Sequence, residues 1–412
     1  MTSKISLNRP LFKRLRPSPQ VLRLFVFVGI VWAAVVGPGS VVLILTHKGA
    51  ATSQIGIVTA VAAVISMVFQ PVWGMISDKI GSPRRVLCFC LIGSAVFFGS
   101  VLFTDSFYIA AVLLLLDMLF RCGVVALLDS HTLSEIKVLQ GVPYGHIRLA
   151  GSIFFGTLSF IYSRVIESYD VMAIIPISVG IAVVAIFFGL VIAKGKWEVH
   201  GEGTAKMAKP DLKKDAASLF KNIRFLTLII FAGLSALALH PLWVFLIEFV
   251  MEAGGTPGNV PLIHALRCVV EIPLFIFVGI ACKRVDAKKL MIIGTSFMFL
   301  YMFGMLFANS LFWIAAAHLV GGTPGFIFGL TGRLRYLNEA TPESVRSTSI
   351  TLMATMEIGF GAILGGLLGG YVLEWFGTQM LTVVSLGSLT LAMMVLVFMA
   401  VRERGMIDTM TT

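Results

Sequence analysis

The chain has 412 residues, of which 58% are hydrophobic and 13% charged, and its mean hydropathy is +0.95. A soluble fold of this length could not bury so much apolar surface, so the composition indicates an integral membrane protein. The net charge of +11 is attributed to the excess of Lys and Arg on the cytoplasmic side of membrane loops, which argues against a nucleic-acid partner.

Apolar runs that are long enough to cross the hydrocarbon as helices follow one another along the whole chain. They lie at 22–46, 52–76, 86–104, 107–130, 148–166, 171–193, 223–250, 258–281, 289–308, 311–332, 347–372 and 378–401. Most connections are short, but residues 195–222 are polar and rich in Lys. We therefore expect an all-α membrane protein with twelve transmembrane helices, in which a cytoplasmic linker at 195–222 separates domains at 1–194 and 223–412.

The distribution of positive charge predicts the orientation in the bilayer. If the N-terminus is cytoplasmic, all but four of the 32 Lys and Arg residues fall on that side or at its membrane edge. The exceptions are Lys48 and Arg164 outside and Arg121 and Arg267 within helices. Both termini are expected in the cytoplasm, and the protein in the plasma membrane, or the inner membrane of a Gram-negative source. The first apolar run is too long for a typical signal-peptide core and is expected to remain as a helix.

A charged stretch, GMISDKIGSPRR, occupies residues 74–85 after the second run, and a weaker copy, GIACKRVDAKK, follows half a chain later at 279–289. A carboxylate at a helix end with basic side chains nearby can hold two helix ends together and release them. The residues expected to form this gating loop are Gly74, Asp78, Lys79, Gly81, Arg84 and Arg85. The copy has Lys283 and Asp286 where the first loop has Asp78 and Gly81, so only anchoring is expected there.

The repeated loop resembles the hallmark loop of the major facilitator superfamily, and the resemblance extends over essentially the whole chain. It implies two pseudo-symmetric six-helix bundles that rock around a central cavity, which opens alternately to each side of the membrane. Members of this superfamily carry very different molecules, so the fold alone does not identify the substrate.

Several ionisable residues fall inside the predicted helices, where each must be paired, hydrated or functional. Asp117 and Arg121 are four residues apart, as are Arg267 and Glu271, so each pair can neutralise itself along one helix face. His264 lies on the same face as Arg267 and Glu271, and such a stripe can exchange a proton for a salt bridge. For Asp117 and Arg121 a purely structural role is the simpler interpretation.

The segment from Asp129 to Ser152 resembles the junction of the fourth and fifth helices in the lactose permease and nucleoside permease branches of the superfamily. That resemblance implies that Asp129 and Arg148 hydrogen-bond the hydroxyls of a sugar-like substrate, and that Phe155 stands where a stacking aromatic residue is expected. The alternatives are helix-end or membrane-edge charges for the first two and simple packing for Phe155.

Further candidates concern the pathway and proton coupling. Trp32 and Trp243 lie on the first and seventh helices and are expected to line the cavity, with interfacial anchoring as the alternative. Glu271 is the principal candidate for the proton, assisted by Glu357 and His318 and by the neighbouring Arg267 and His264. Glu357 begins a stripe of small residues that allows close helix contact. For His318, hydrogen-bonded packing is the alternative to a relay.

The leading hypothesis is a secondary active transporter, a proton-coupled symporter that imports a sugar, an oligosaccharide or a nucleoside. The alternatives are a proton-antiport exporter of drugs or other hydrophobic compounds and an importer of aromatic acids. No nucleophile and base arrangement, phosphate loop or metal-ligand grouping is found, so we expect neither an enzyme nor a bound cofactor or metal. The expected partners are a small-molecule substrate, protons and the lipid bilayer, and the protein is expected to act as a monomer.

Overall fold

The computed structural model describes residues 18–139, 142, 144–192, 219, 221–281, 284–342 and 345–411. Nearly all of the predicted linker lies outside these residues, as do Cys282 and Lys283 of the second loop copy. The described residues form helices joined by short connections, as the hydropathy pattern predicts.

The first half contributes six membrane segments to the described chain. They are α1 (Pro19–Ala34, continued by Val41–His47), α2 (Thr52–Ile80), α3 (Pro83–Ser100), α4 (Phe107–Arg121 and Val124–Val138), α5 (Tyr144–Ser168) and α6 (Ile174–Phe187, extended by Phe188–Ile192). In this half α1 packs against α5 and α6, and α3 packs against α4 and α6.

The second half also contributes six segments within the described residues. They are α7 (Ile223–Val244, continued by Leu246–Glu252), α8 (Asn259–Ala281), α9 (Ala287–Leu306), α10 (Leu311–Ala316, Ala317–Gly322 and Thr323–Ala340), α11 (Arg346–Met356, Glu357–Gly365 and 366–376) and α12 (378–411). Here α7 packs against α11 and α12, and α9 packs against α10 and α12.

Ten helices in the described chain are long and apolar enough to cross a membrane. The last of them contains both α11 and α12, which are separated at Gly377 by a φ of +78°, a conformation that favours glycine. The α1 segment is shorter because Gly37 and Pro38 interrupt the helix. Counting these two cases, the described residues are consistent with the twelve crossings that the sequence predicts.

The structure corrects the predicted helices in two ways: some are interrupted, and some continue beyond their predicted ends. α1 and α7 are each broken rather than continuous, and in α7 the break at Phe245 follows four residues after Pro241. α4 and α10 both continue about eight residues beyond the predicted ends at 130 and 332. Hydropathy ends a predicted segment at the first cluster of polar residues, whereas the backbone hydrogen bonds of a helix continue through them.

The two halves meet through α2 against α11 and α5 against α8. Gly56 faces Gly366 and Gly370 so closely that a Cβ on Gly56 would lie 2.6 Å from the Gly366 carbonyl oxygen. The Thr52 hydroxyl donates a hydrogen bond to the Gly370 carbonyl at 3.2 Å. These contacts lie at the end of α2 remote from the 74–85 loop, and they close that end of the molecule between the two halves.

Candidate functional site

A cavity of about 560 Å³ lies between the two halves and is called the central cavity here. Residues of α1, α2, α4 and α5 line it from the first half, and residues of α7, α8 and α11 line it from the second. Its polar lining comprises Ser40, Thr59, Ser66, Gln70, Arg121, Ser159, His240 and His264. The volume is that of an ordinary small-molecule site. The two halves therefore share a pocket that is mainly apolar and carries a few polar groups.

Two aromatic residues predicted to face the pathway, Phe155 and Trp243, line the central cavity. Phe155 lies on α5 one turn before Ser159, which also lines it. Two polar side-chain atoms of the lining, Ser66 Oγ and His240 Nδ1, are buried without a hydrogen-bond partner among the described residues. Buried polar groups favour a partner, so these two atoms are free to bind a polar solute.

The Asp117 and Arg121 pair in α4 is short and enclosed. Arg121 Nε lies 2.9 Å from Asp117 Oδ2, and the Ser94 hydroxyl donates to Oδ1 at 2.5 Å. The Asp117 side chain is 0% exposed and that of Arg121 17%. The geometry confirms that the pair neutralises itself along one helix face, and Ser94 completes the hydrogen bonding of the carboxylate.

Asp129 and Arg148 are brought into one cluster by Tyr144. The Tyr144 hydroxyl donates to Asp129 Oδ1 at 2.8 Å, and Arg148 follows Tyr144 by one turn on the same face of α5. The Arg148 guanidinium carbon lies 4.0 Å from the centroid of the Trp32 ring. We call Trp32, Asp129, Tyr144 and Arg148 the first-half cluster.

The first-half cluster depends on the absence of a side chain at Gly151. A Cβ there would lie 2.6 Å from Arg148 Nη1 and 2.7 Å from Trp32 Cδ1. None of the four cluster residues lines the central cavity as described above, but Arg148 precedes Phe155 by two turns on the same face of α5. The cluster thus lies about 10 Å beyond the cavity toward the connection between α4 and α5.

The stripe on α8 contacts the cavity and an aromatic pair. His264 lines the central cavity. The Arg267 guanidinium lies 4.4 Å from the Trp243 ring centroid and 5.1 Å from that of Phe326. Arg267 Nε is 3.9 Å from Glu271 Oε2, too long for a hydrogen bond, so the predicted pair is present but loosely held.

Glu357 is paired with Arg333 of α10, which the sequence analysis placed only at the cytoplasmic edge. Arg333 Nε lies 3.4 Å from Glu357 Oε1, and neither atom has a hydrogen-bond partner among the described residues. Glu357 opens the π-helical stretch Glu357–Gly365, and the stripe that follows packs against α7, with Gly361 against Ala236. The small residues of this stripe therefore bring α11 close to α7, as expected.

His318 is buried and both of its ring nitrogens have partners. Nδ1 lies 3.0 Å from the Ile314 carbonyl oxygen and therefore donates, so Nε2 accepts from the Tyr301 hydroxyl at 3.1 Å. It does not line the central cavity. This geometry fits the packing alternative and gives His318 no open position for a proton relay in this conformation.

The predicted gating loop divides into exposed and buried parts. Gly81 ends α2 with a φ of +70°, which explains the need for glycine at this turn. Asp78 and Lys79 are exposed, whereas Arg84 is buried and donates to the Gly189 carbonyl at 3.1 Å, joining the start of α3 to the end of α6. Gly74 has open space around it, and Arg85 is exposed.

Sequence reasoning missed the roles of Tyr144, Arg333 and His240. Tyr144 stands within the segment that resembles the permease junction, but a tyrosine at a helix start carries no signal of what it contacts. Arg333 lies beyond the predicted end of its apolar run, so it was counted with the membrane-edge cations. His240 directly precedes Pro241, and only the packing of α7 places it in the cavity.

A family model described as the MFS_1 like family matches residues 41–384. The uncharacterized transporter YwbF of Bacillus subtilis (strain 168) is 24% identical over 351 residues, which are 83% of this chain and 84% of the relative. The maltose permease of Geobacillus stearothermophilus is 24% identical over 333 residues, which are 78% of this chain and 79% of the relative.

Solved structures of similar fold include two kinds of transporter. The nucleoside transporter NupG has a TM-score of 0.75 and 16% identity, with 93% of this chain and 98% of that chain covered. A bacterial homologue of the human lysosomal transporter Spinster, in an inward-facing and occupied conformation, has a TM-score of 0.68 and 12% identity, with coverage of 93% and 96%. At these identities the likeness shows a shared fold.

Proposed function

Since the chain belongs to the MFS_1 like family, we propose that it is a proton-coupled symporter that imports a small polar solute by alternating access. The chain is a multi-pass membrane transporter and not an enzyme. Sugars and oligosaccharides are the first substrate class to test and nucleosides the second. These classes appear in the names of the maltose permease and the nucleoside transporter that the chain resembles.

The observation that carries the proposal is the central cavity, which both halves line and which holds polar atoms without partners. Ser66 of α2 and His240 of α7 line it from opposite halves, and Ser66 Oγ and His240 Nδ1 are buried without a partner among the described residues. A solute with several hydroxyl groups can bridge such groups, and its binding then draws the two halves together.

In this mechanism the first-half cluster binds substrate hydroxyls. The Asp129 carboxylate accepts and the Arg148 guanidinium donates, so the two supply complementary groups to neighbouring hydroxyls. Tyr144 holds the Asp129 carboxylate in place, and the Trp32 ring supports the Arg148 guanidinium from one side. Phe155 and Trp243 supply flat apolar surface in the cavity.

Glu271 takes the proton in the same mechanism. Protonation removes its attraction to Arg267, and Arg267 remains supported by the rings of Trp243 and Phe326. Protonation and substrate each favour the occluded form, so neither crosses productively alone. Glu357 is the assisting carboxylate, and His318 contributes packing to α10.

The proposed orientation follows from the distribution of positive charge. With both termini cytoplasmic, the closed end between α2 and α11 faces away from the cytoplasm, and the central cavity is reached from the cytoplasmic side. The domains at 1–194 and 223–412 then act as the two rocking bundles, in the plasma membrane and as a monomer.

The apolar wall of the cavity favours one competing function, the proton-antiport export of hydrophobic compounds. Apart from its polar lining the central cavity is walled by aliphatic side chains, Phe155 and Trp243, and Arg148 lies beyond it. If the protein is an exporter, Arg148 should be dispensable, and substrates should leave in exchange for protons that enter down their gradient.

The test is uptake into vesicles that contain the purified protein. A panel of sugars, oligosaccharides, nucleosides and aromatic acids is offered with and without an imposed proton gradient. We expect gradient-driven accumulation of a sugar or nucleoside, and we expect Arg148→Ala to reduce it strongly.

Arg164→Ala is the matched control, because Arg164 lies on the same helix but is exposed and pairs with Glu167 at 3.0 Å. It should accumulate substrate as the parent does. If no panel member accumulates, or if Arg148→Ala behaves like the control, the proposed symport is wrong.

A further inference from the structure

A second cavity, of about 460 Å³, lies within the second half alone and is called the intrabundle cavity here. Every described residue that lines it belongs to α7, α9, α10, α11 or α12, so it extends away from the contact between the halves. It shares His240, Trp243, Ile358 and Ala362 with the central cavity. The two cavities therefore adjoin at these four residues.

The walls of the intrabundle cavity are apolar and rich in rings and thioethers. Phe231, Trp243 and Phe326 supply aromatic surface, and Met298 and Met302 supply flexible apolar surface. Such walls favour the apolar or aromatic body of a ligand over a fully hydroxylated one. This chemistry differs from that of the first-half cluster.

One charged pair faces this apolar space, and its geometry is poor for a salt bridge. Arg333 Nε and Glu357 Oε1 are 3.4 Å apart without a hydrogen bond, whereas charge-assisted bonds are about 2.7–2.9 Å. Arg335, two residues later on the same helix, reaches Glu339 at 3.0 Å in the exposed part of α10. The buried pair of Arg333 and Glu357 is thus the looser of the two, and the Arg333 guanidinium can donate to a better-placed acceptor.

Two further polar atoms in the cavity also lack partners. Ser235 Oγ and His240 Nδ1 belong to residues of α7 that line the cavity, and both atoms are buried without a hydrogen bond among the described residues. A ligand with polar atoms that reach these two groups would satisfy them, and a further polar atom would do the same for Arg333. The polar groups and the apolar walls therefore define an amphipathic site.

We propose that the intrabundle cavity binds an amphipathic organic acid, whose carboxylate replaces Glu357 on Arg333 while Glu357 takes up a proton from solution. A ligand carboxylate can offer two oxygens to the guanidinium fork, which Glu357 does not do in its present geometry. Glu357, left beside apolar walls without its cation, favours the protonated form. One negative charge and one proton enter together, so the charge within the cavity is unchanged.

The pH dependence belongs to few groups. Among the described residues that line the cavity, Arg333 of α10, Glu357 of α11 and His240 of α7 are the charged or titratable ones, and α9 and α12 contribute none. Although α2 packs against α11, none of its described residues lines the intrabundle cavity. Proton uptake on ligand binding can therefore come from Glu357 or from His240, and variants of each residue distinguish the two sources.

The experiment measures binding to the purified full-length protein in detergent, and it does not depend on which solute is transported. The probes are 3-phenylpropionate and its neutral amide, 3-phenylpropionamide. Isothermal titration calorimetry in two buffers of different ionisation enthalpy gives both the affinity and the protons taken up. We expect the acid to bind about tenfold more tightly than the amide, the effect of one charge-assisted contact, with uptake of one proton.

Three variants separate the roles of the groups. Arg333→Gln should abolish the preference for the acid, and Glu357→Gln should keep acid binding but lose the proton uptake. His240→Gln should keep the proton uptake and the preference for the acid over the amide, although it weakens the binding of both probes alike. Arg335→Gln is the matched control on the same helix and should behave as the parent, and each variant is first checked for folding by its thermal melting curve.

Equal affinity for acid and amide, or binding of neither, would overturn the proposal. So would an Arg333→Gln variant that still prefers the acid, or proton uptake that persists in Glu357→Gln and disappears in His240→Gln. Because the measurement is made without a gradient, loss of sugar or nucleoside uptake in vesicles leaves this result unaffected, and the two proposals fail independently.

Discussion

In the first half of the chain the ion pair of Asp117 and Arg121 is short and fully hydrogen-bonded, whereas the two partly buried ion pairs described in the second half, Arg267 with Glu271 and Arg333 with Glu357, are longer. The Asp117 carboxylate has a hydrogen bond to each oxygen and is 0% exposed. Glu271 and Glu357 are 18% and 27% exposed and are separated from their arginines by 3.9 and 3.4 Å. A fully bonded pair resists exchange, whereas a loosely bonded one can change partners.

We interpret this difference as a structural role for the first pair and, under the proposed function, a transport role for the other two. The membrane penalises any uncompensated charge, so both kinds of pair must remain near neutral overall. The enclosed pair meets that need with fixed hydrogen bonds. The two pairs of the second half remain near neutral because their charges are close, without a hydrogen bond between them. A proton can therefore neutralise the glutamate, or a ligand carboxylate can replace it beside the arginine. The predictions below test this distinction, beginning with the largest expected effect.

Asp117→Ala should lower the free energy of unfolding by about 3 kcal/mol, because it removes a fully buried carboxylate and leaves Arg121 without its partner. Thermal unfolding of the purified variant in detergent measures this loss. The double variant Asp117→Ala with Arg121→Ala should recover most of the stability. A single variant as stable as the parent would show that the pair is not structural.

Glu271→Gln should leave stability nearly unchanged but reduce gradient-driven accumulation about tenfold, which is the effect of losing one coupling interaction of about 1.4 kcal/mol. The isosteric amide keeps the shape and removes the titratable group. Vesicle uptake with an imposed gradient gives the change, and exchange of labelled substrate without a gradient should persist. Accumulation that equals the parent's would exclude Glu271 as the proton site.

Arg148→Lys should raise the KM for uptake about fivefold, since it removes the planar stack on Trp32, and such contacts are worth about 1 kcal/mol. Charge is retained, so the effect isolates the guanidinium shape. Initial uptake rates over a range of substrate concentrations give KM and the maximal rate separately. An unchanged KM would remove the first-half cluster from the substrate site.

His318→Gln should have the smallest effect, a loss of about 1 kcal/mol in stability with the proton coupling intact, because its two hydrogen bonds fix α10 locally. Tyr301→Phe removes the same hydroxyl contact and is the matched comparison. Accumulation ratios and melting temperatures are measured on both. Abolished coupling in His318→Gln, with normal melting, would restore the relay that the packing argues against.

Some of the candidate site could be read directly from residue spacing. The pairs Asp117 with Arg121 and Arg267 with Glu271 were predictable because side chains four apart on a helix are neighbours. The role of Gly81 was also within reach, since glycine commonly ends helices in a left-handed turn. Contacts between helices could not be predicted in this way. The pairing of Glu357 with Arg333 joins α11 to α10, and that of Trp32 with Arg148 joins α1 to α5.

The sequence by itself determined that this is a helical membrane protein with a repeated loop, and it predicted twelve crossings, with which the described residues are consistent. Apolar run length and the placement of charge are local properties that the bilayer selects. Only the tertiary structure decided which charges are fully bonded and which remain loosely held. Asp117 gains Ser94 from α3, and Glu357 gains only a distant Arg333 from α10. Hydrogen bonds depend on tenths of an ångström between separate helices, and helix packing sets those distances.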